Sequence, residues 1–137
     1  MIALYATAYA ATAVVFLGLD FLWLSTMAGS FYKSRIGAML LDEPNIGAAA
    51  LFYLVYVAGI VHFAVMPAVT AGNWVAALMS GAFLGLIAYG TYDITNLATL
   101  RNWPIAVAAV DLGWGVALTG FAALCGFGAT MLVFGRF

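Results

Sequence analysis

Three aspartates stand where an acid is costly. Asp20, Asp93 and Asp111 each lie within or beside a long apolar run. An ionisable group in such a run is expensive and by default marks a task. Asp93 is the acid of the most polar stretch in the chain, Tyr89-Gly-Thr-Tyr-Asp-Ile-Thr-Asn-Leu-Ala-Thr-Leu-Arg101. Asp20 is followed by Trp23 and Asp111 by Trp114, so each acid shares a helical face with an indole. Carboxylates gathered in low dielectric cannot all stay ionised and unpaired. They must take up a proton, bind a cation, or find donors. Lys33, Arg35 and Arg101 carry charge near the same end of the spans, and indole and tyrosine groups can donate.

The chemistry this supports is ligand binding at a polar pocket. The residues expected to form it are Asp20, Trp23, Tyr89, Tyr92, Asp93, Thr95, Asn96, Arg101, Asp111 and Trp114. Arg101 would face a lipid phosphate. The plainer reading is that the acids tie helices together through hydrogen bonds worth about 1 kcal/mol each in a membrane. A hydroxyl or amide would do that at lower cost.

Other chemistries find no residues. There is no nucleotide loop, zinc spacing, Ser-His-Asp arrangement or thiol pair. The one histidine, His62, lies far in depth from the acids and reads as a packing residue, so a histidine-rich metal centre is excluded. A hard, oxygen-ligated cation stays open at the acids, but no metal or cofactor is assigned. Cys125, the one cysteine, reads as a buried small hydrophobe.

The elements that must position these groups are membrane helices. Of 137 residues, 67% are hydrophobic and 7% charged, against roughly 25% charged in soluble domains. With a net charge of −1, no basic surface points to nucleic acid. The spans are expected at about 4–27, 47–66, 74–98 and 103–134, forming one membrane domain over 1–137. The first run has no positive stretch before it and is broken by Asp20, so it is expected to remain as a span and not to be a cleaved signal. In the connection 28–45, Tyr32, Ile36, Met39 and Leu40 form a helical stripe. That predicts a short interfacial helix, with a polar loop as the alternative. Pro67 is expected to close the second span. In the third, Ala77, Gly81 and Gly85 make a small-residue stripe for close helix contact, internal or with a partner.

Four spans put both termini on one side. Lys33, Arg35 and Arg101 lie on the connection side and Arg136 on the terminal side. Positive-inside bias then places connections 28–45 and 100–103 in the cytoplasm and the termini in the periplasm. Counted from the expected span ends, all three aspartates lie ~8–10 Å below the cytoplasmic boundary.

Several motifs together resemble one family. They are Leu19-Asp-Phe-Leu-Trp-Leu24, Phe31-Tyr32, Phe52-Tyr53 with Tyr56, the stretch from Tyr89 through Pro104, and Asp111-Leu-Gly-Trp-Gly115. The chain resembles the small four-span bacterial membrane proteins grouped as domain of unknown function 2177. The resemblance covers nearly the whole chain. It implies a bacterial inner-membrane location and four spans, and it implies no activity.

The expected fold is an all-α, four-helix transmembrane bundle. The expected function is binding or handling of a membrane lipid or small molecule at the acidic cluster near the cytoplasmic leaflet, without a commitment to catalysis. Two alternatives remain: a small proton- or cation-coupled transporter acting as a dimeric homo-oligomer, and a structural or accessory subunit of a larger membrane complex.

Overall fold

In a bilayer every backbone polar group must be satisfied within the chain, so long apolar runs become helices. The computed structural model describes residues 1–135 and has four such helices. They are α1 (Ile2–Met39), α2 (Ile46–Ala71), α3 (Trp74–Thr99) and α4 (Ile105–Phe134), each long and apolar enough to cross a membrane. No strand occurs among the described residues. Arg136, the terminal-side cation of the charge count, lies outside them.

Two helices run further than their sequences suggest, and both do so through a π turn. α1 has 38 residues, about 57 Å at 1.5 Å per residue. It does not stop at Met27. A π turn at Ala28–Tyr32, with the Lys33 amide bonding the Ala28 carbonyl, leads into a further helical turn and a 3-10 end at Gly37–Met39. The stripe expected to mark a separate interfacial helix is thus the continuation of α1. Tyr32 and Ile36 are buried there against Trp103, Val107 and Ala108 at the start of α4.

α2 likewise passes through Pro67 to Ala71. A proline ring inside a helix clashes with the carbonyl four residues back and removes a donor. The π turn Val61–Val65 immediately before it, closed by the Met66 amide on the Val61 carbonyl, widens the helix at that place. Gly72, with φ 60°, then ends α2 in the left-handed conformation. The Asn73 side chain caps α3 by accepting from the Val75 and Ala76 amides.

The small-residue stripe of α3 is spent inside the chain. A Cβ on Gly81 would meet the Ala123 side chain at 2.6 Å and the Thr119 carbonyl at 2.8 Å, and one on Gly85 would run into the Gly115 backbone. α3 and α4 therefore touch almost backbone to backbone. α1 packs on α4 as well, further along the helix, where Gly126 abuts Thr12. The C-terminal half of α2 closes the core with Val57, Ile60, Val61, Ala64, Val65 and Val69. Its N-terminal half does not. Residues 46–52 are all exposed, so this half stands away from the bundle and leaves a gap beside α1.

Candidate functional site

That gap is a cavity of about 920 Å³ between α1, α2 and α4. Its outer part is aliphatic, with Leu17, Leu24, Met39, Leu41, Ile46 and Leu54. Its floor is polar and aromatic, with Asp20, Trp23, Tyr32, Tyr53, Asp111 and Trp114. A smaller cavity of about 280 Å³ lies between α2 and α3 and shares Tyr53, Tyr89, Tyr92 and Asp111 with the first.

The floor is a connected network. Tyr53 Oη donates to Asp20 Oδ2 at 2.6 Å. Trp114 Nε1 donates to Asp20 Oδ1 at 3.1 Å. The Trp114 ring stacks on that of Trp23, with centroids 4.3 Å apart and 7° between planes. Trp23 Nε1 donates to Tyr32 Oη at 3.1 Å, and Tyr32 Oη donates to Asp111 Oδ1 at 2.5 Å. Beside Asp111 lies the carboxyl of Asp93. Asp93 is fully buried, and no donor among the described residues reaches either of its oxygens. Satisfying the Asp93–Asp111 pair takes a proton shared between them, or a donor or cation brought by a ligand.

The π turn of α1 makes this network. Tyr32 follows Asp20 by twelve residues, so in an unbroken α-helix it would sit about 120° around the axis. One extra residue absorbed by a π turn returns it to about 20°. Trp23, Tyr32 and Asp20 then all reach the cavity from one helix.

The expected site residues divide into two groups. Asp20, Trp23, Tyr89, Tyr92, Asp111 and Trp114 line the larger cavity, and Asp93 adjoins them through Asp111. Tyr89 lies against Gly115, and Tyr92 sets its ring edge to face with Trp103 at 5.7 Å. Thr95, Asn96 and Arg101 line neither cavity; Thr95 and Arg101 are exposed. Asp93 and Asp111 adjoin, while Asp20 has its own donors and is joined to them through the indole stack. No group of three His, Cys, Asp or Glu among the described residues is placed to hold a metal ion. His62 sits exposed on the second π turn with its ring against Phe63, away from the packing role expected of it.

Tyr32 and Tyr53, the hydroxyl donors at the two acids, were not among the expected site residues. The motifs Phe31-Tyr32 and Phe52-Tyr53 contain them, but no periodicity assigns either to the acids.

The chain belongs to the family of predicted membrane proteins DUF2177, whose model matches residues 5–128. No curated protein and no solved structure matches it.

Proposed function

We propose that this DUF2177 membrane protein binds an amphipathic molecule, a membrane lipid or a lipid-like small molecule, in the cavity between α1, α2 and α4. The observation that carries the reading is the cavity's division into an aliphatic outer part and a hydrogen-bonded floor. Its volume, about 920 Å³, lies at the upper end of the range for ligand sites, which are mostly apolar with a few placed polar groups. The exposed N-terminal half of α2 leaves the cavity open beside α1. An apolar tail could enter there from the bilayer without crossing a polar barrier. The charge bias of Lys33, Arg35 and Arg101 supports a cytoplasmic-leaflet position for the cavity in a bacterial inner membrane.

The test is retained lipid. The protein is purified in mild detergent and its bound lipids are quantified by mass spectrometry. Ala28→Trp and Ala49→Trp each place a large ring in the cavity wall. Both variants are expected to stay monodisperse and to lose most of the retained lipid. Wild-type lipid content in both would remove the reading.

A further inference from the structure

The chemistry left unsatisfied on the cavity floor names the polar end of the occupant. Among the described residues, no lysine or arginine lines the larger cavity. Its charged lining groups are Asp20 and Asp111, with Asp93 set directly against Asp111 from outside the lining. The donors that reach the acids are committed, while the Trp103 indole N–H, buried in the lining, has no acceptor among the described residues. Tyr53 and Trp114 are spent on Asp20, and Tyr32 on Asp111. Acceptors are in surplus at the acid pair, because both oxygens of the fully buried Asp93 have no donor among the described residues. What the floor lacks is positive charge carried on N–H groups. Trp23, Trp103, Tyr89 and Tyr92 also line the cavity, and an aromatic face favours a cation.

We infer that the occupant is an amphiphile with a primary ammonium head, which donates to Asp111 of the Asp93–Asp111 pair while its tail fills the aliphatic part of the cavity. This rests on the amphiphile-binding reading and narrows it. An anionic head would meet two carboxylates and no cation. A quaternary ammonium would have the charge without the N–H donors. A fatty alcohol would have a donor without the charge. A metal ion finds no group of three His, Cys, Asp or Glu ligands among the described residues.

Three twelve-carbon probes separate these cases: dodecylamine, dodecyltrimethylammonium and dodecanol. Each is titrated into the protein in phosphatidylcholine nanodiscs, and tryptophan emission is followed, since Trp23, Trp103 and Trp114 line the cavity. The amine is expected to bind about tenfold or more tightly than the other two, the margin that charge-assisted hydrogen bonds supply. In Asp111→Asn, and separately in Asp93→Asn, that margin should fall to about twofold or less. Equal binding of amine and alcohol to the wild type would overturn the ammonium assignment and leave the cavity reading standing. It would mean that the Asp93–Asp111 pair is satisfied by a proton of its own. A margin undiminished in both variants would overturn it as well. Absence of saturable binding for all three probes would overturn the underlying cavity reading too.

Discussion

The indole of Trp23 lies flat on the indole of Trp114, 4.3 Å away and 7° from parallel. The two belong to antiparallel helices and to the same Asp-x-x-Trp spacing. Each indole N–H serves the acid of the opposite helix. Trp114 bonds Asp20 directly, and Trp23 reaches Asp111 through the hydroxyl of Tyr32. Each acid also receives one tyrosine hydroxyl. The pair thus fastens α1 to α4 at two places, and it puts both carboxylates on the cavity floor with their own donors turned inward.

The two indoles should differ in worth. Trp114→Phe keeps an aromatic ring on Trp23 but removes a donor from Asp20, which is only 5% exposed. A buried acceptor that loses its donor costs about 1–2 kcal/mol in a membrane setting. Trp23→Phe removes a donor from Tyr32, whose hydroxyl still donates to Asp111, so its cost should be about half as large or less. Thermal unfolding in one detergent should rank wild type above Trp23→Phe and Trp23→Phe above Trp114→Phe. The reverse order would mean that the relayed bond matters more than the direct one.

The π turn gives a sharper test of how Tyr32 is placed. Gly29 lies within that turn, is exposed, and has nothing within 4 Å of where its Cβ would be. Deleting Gly29 turns the π turn into an ordinary α turn and leaves Tyr32 about 20° from Asp20. Inserting an alanine after Gly29 instead rotates Tyr32 by about 100°. The deletion should keep the melting temperature within about 2 °C of wild type, and the insertion should lower it by several degrees. Equal damage from both changes would show that the π turn serves something other than this rotation.

Glycines on α4 should sort by what their missing side chain would strike. A Cβ on Gly115 runs into the Tyr89 ring, whereas Gly113 and Gly128 have nothing within 4 Å. Gly115→Ala should therefore destabilise by about 1–3 kcal/mol, as overpacking does. It should also displace Tyr89 from both cavities. Gly113→Ala and Gly128→Ala should be neutral or slightly stabilising through helix propensity. Melting curves of the three variants check the order.

The spans and the acids were legible in the sequence because both rest on simple costs. Apolar length fixes a membrane helix, and a carboxylate in such a run needs a reason. The paired Asp-x-x-Trp spacing also survived into the structure as the α1–α4 contact. The tyrosine donors were not legible. Tyr32 is placed by a π turn, which no 3.6-residue periodicity reveals. Tyr53 sits on a stretch of α2 that is apolar all round, so sequence cannot say which face turns inward. Arg101, Thr95 and Asn96 neighbour Asp93 along the chain, and that alone links them to the acids in the sequence. Arg101 lies beyond the end of α3, and Thr95, two residues on from Asp93, falls on a different side of the helix. Proximity in sequence is a poor guide to proximity across a helix.

Orientation can be checked independently of the cavity. In a Cys125→Ala background, a single cysteine is introduced at Asp42 in the α1–α2 connection or at Ile2, both exposed. An impermeant maleimide applied to intact cells should label Ile2→Cys and spare Asp42→Cys until the membrane is opened. Labelling of Asp42→Cys from outside would invert the topology and move the cavity to the other leaflet.

Asp93 separates packing from function most cleanly. It is fully buried, has no donor among the described residues on either oxygen, and abuts the carboxyl of Asp111. Asp93→Asn replaces one oxygen by an amide nitrogen that can donate to Asp111, with almost no change in shape. A purely structural acid should therefore tolerate Asn well, and the variant should melt at or above the wild-type temperature. Asp93→Leu offers no donor and leaves Asp111 beside an apolar group, so it should destabilise by about 1–3 kcal/mol. Retained lipid decides the rest. If Asp93 serves the cavity through Asp111, Asp93→Asn should fold as well as wild type and still lose ligand. A stable Asn variant with unchanged lipid content would reduce Asp93 to a helix-packing residue, and the cavity floor would then consist of Asp20, Asp111 and their own donors alone.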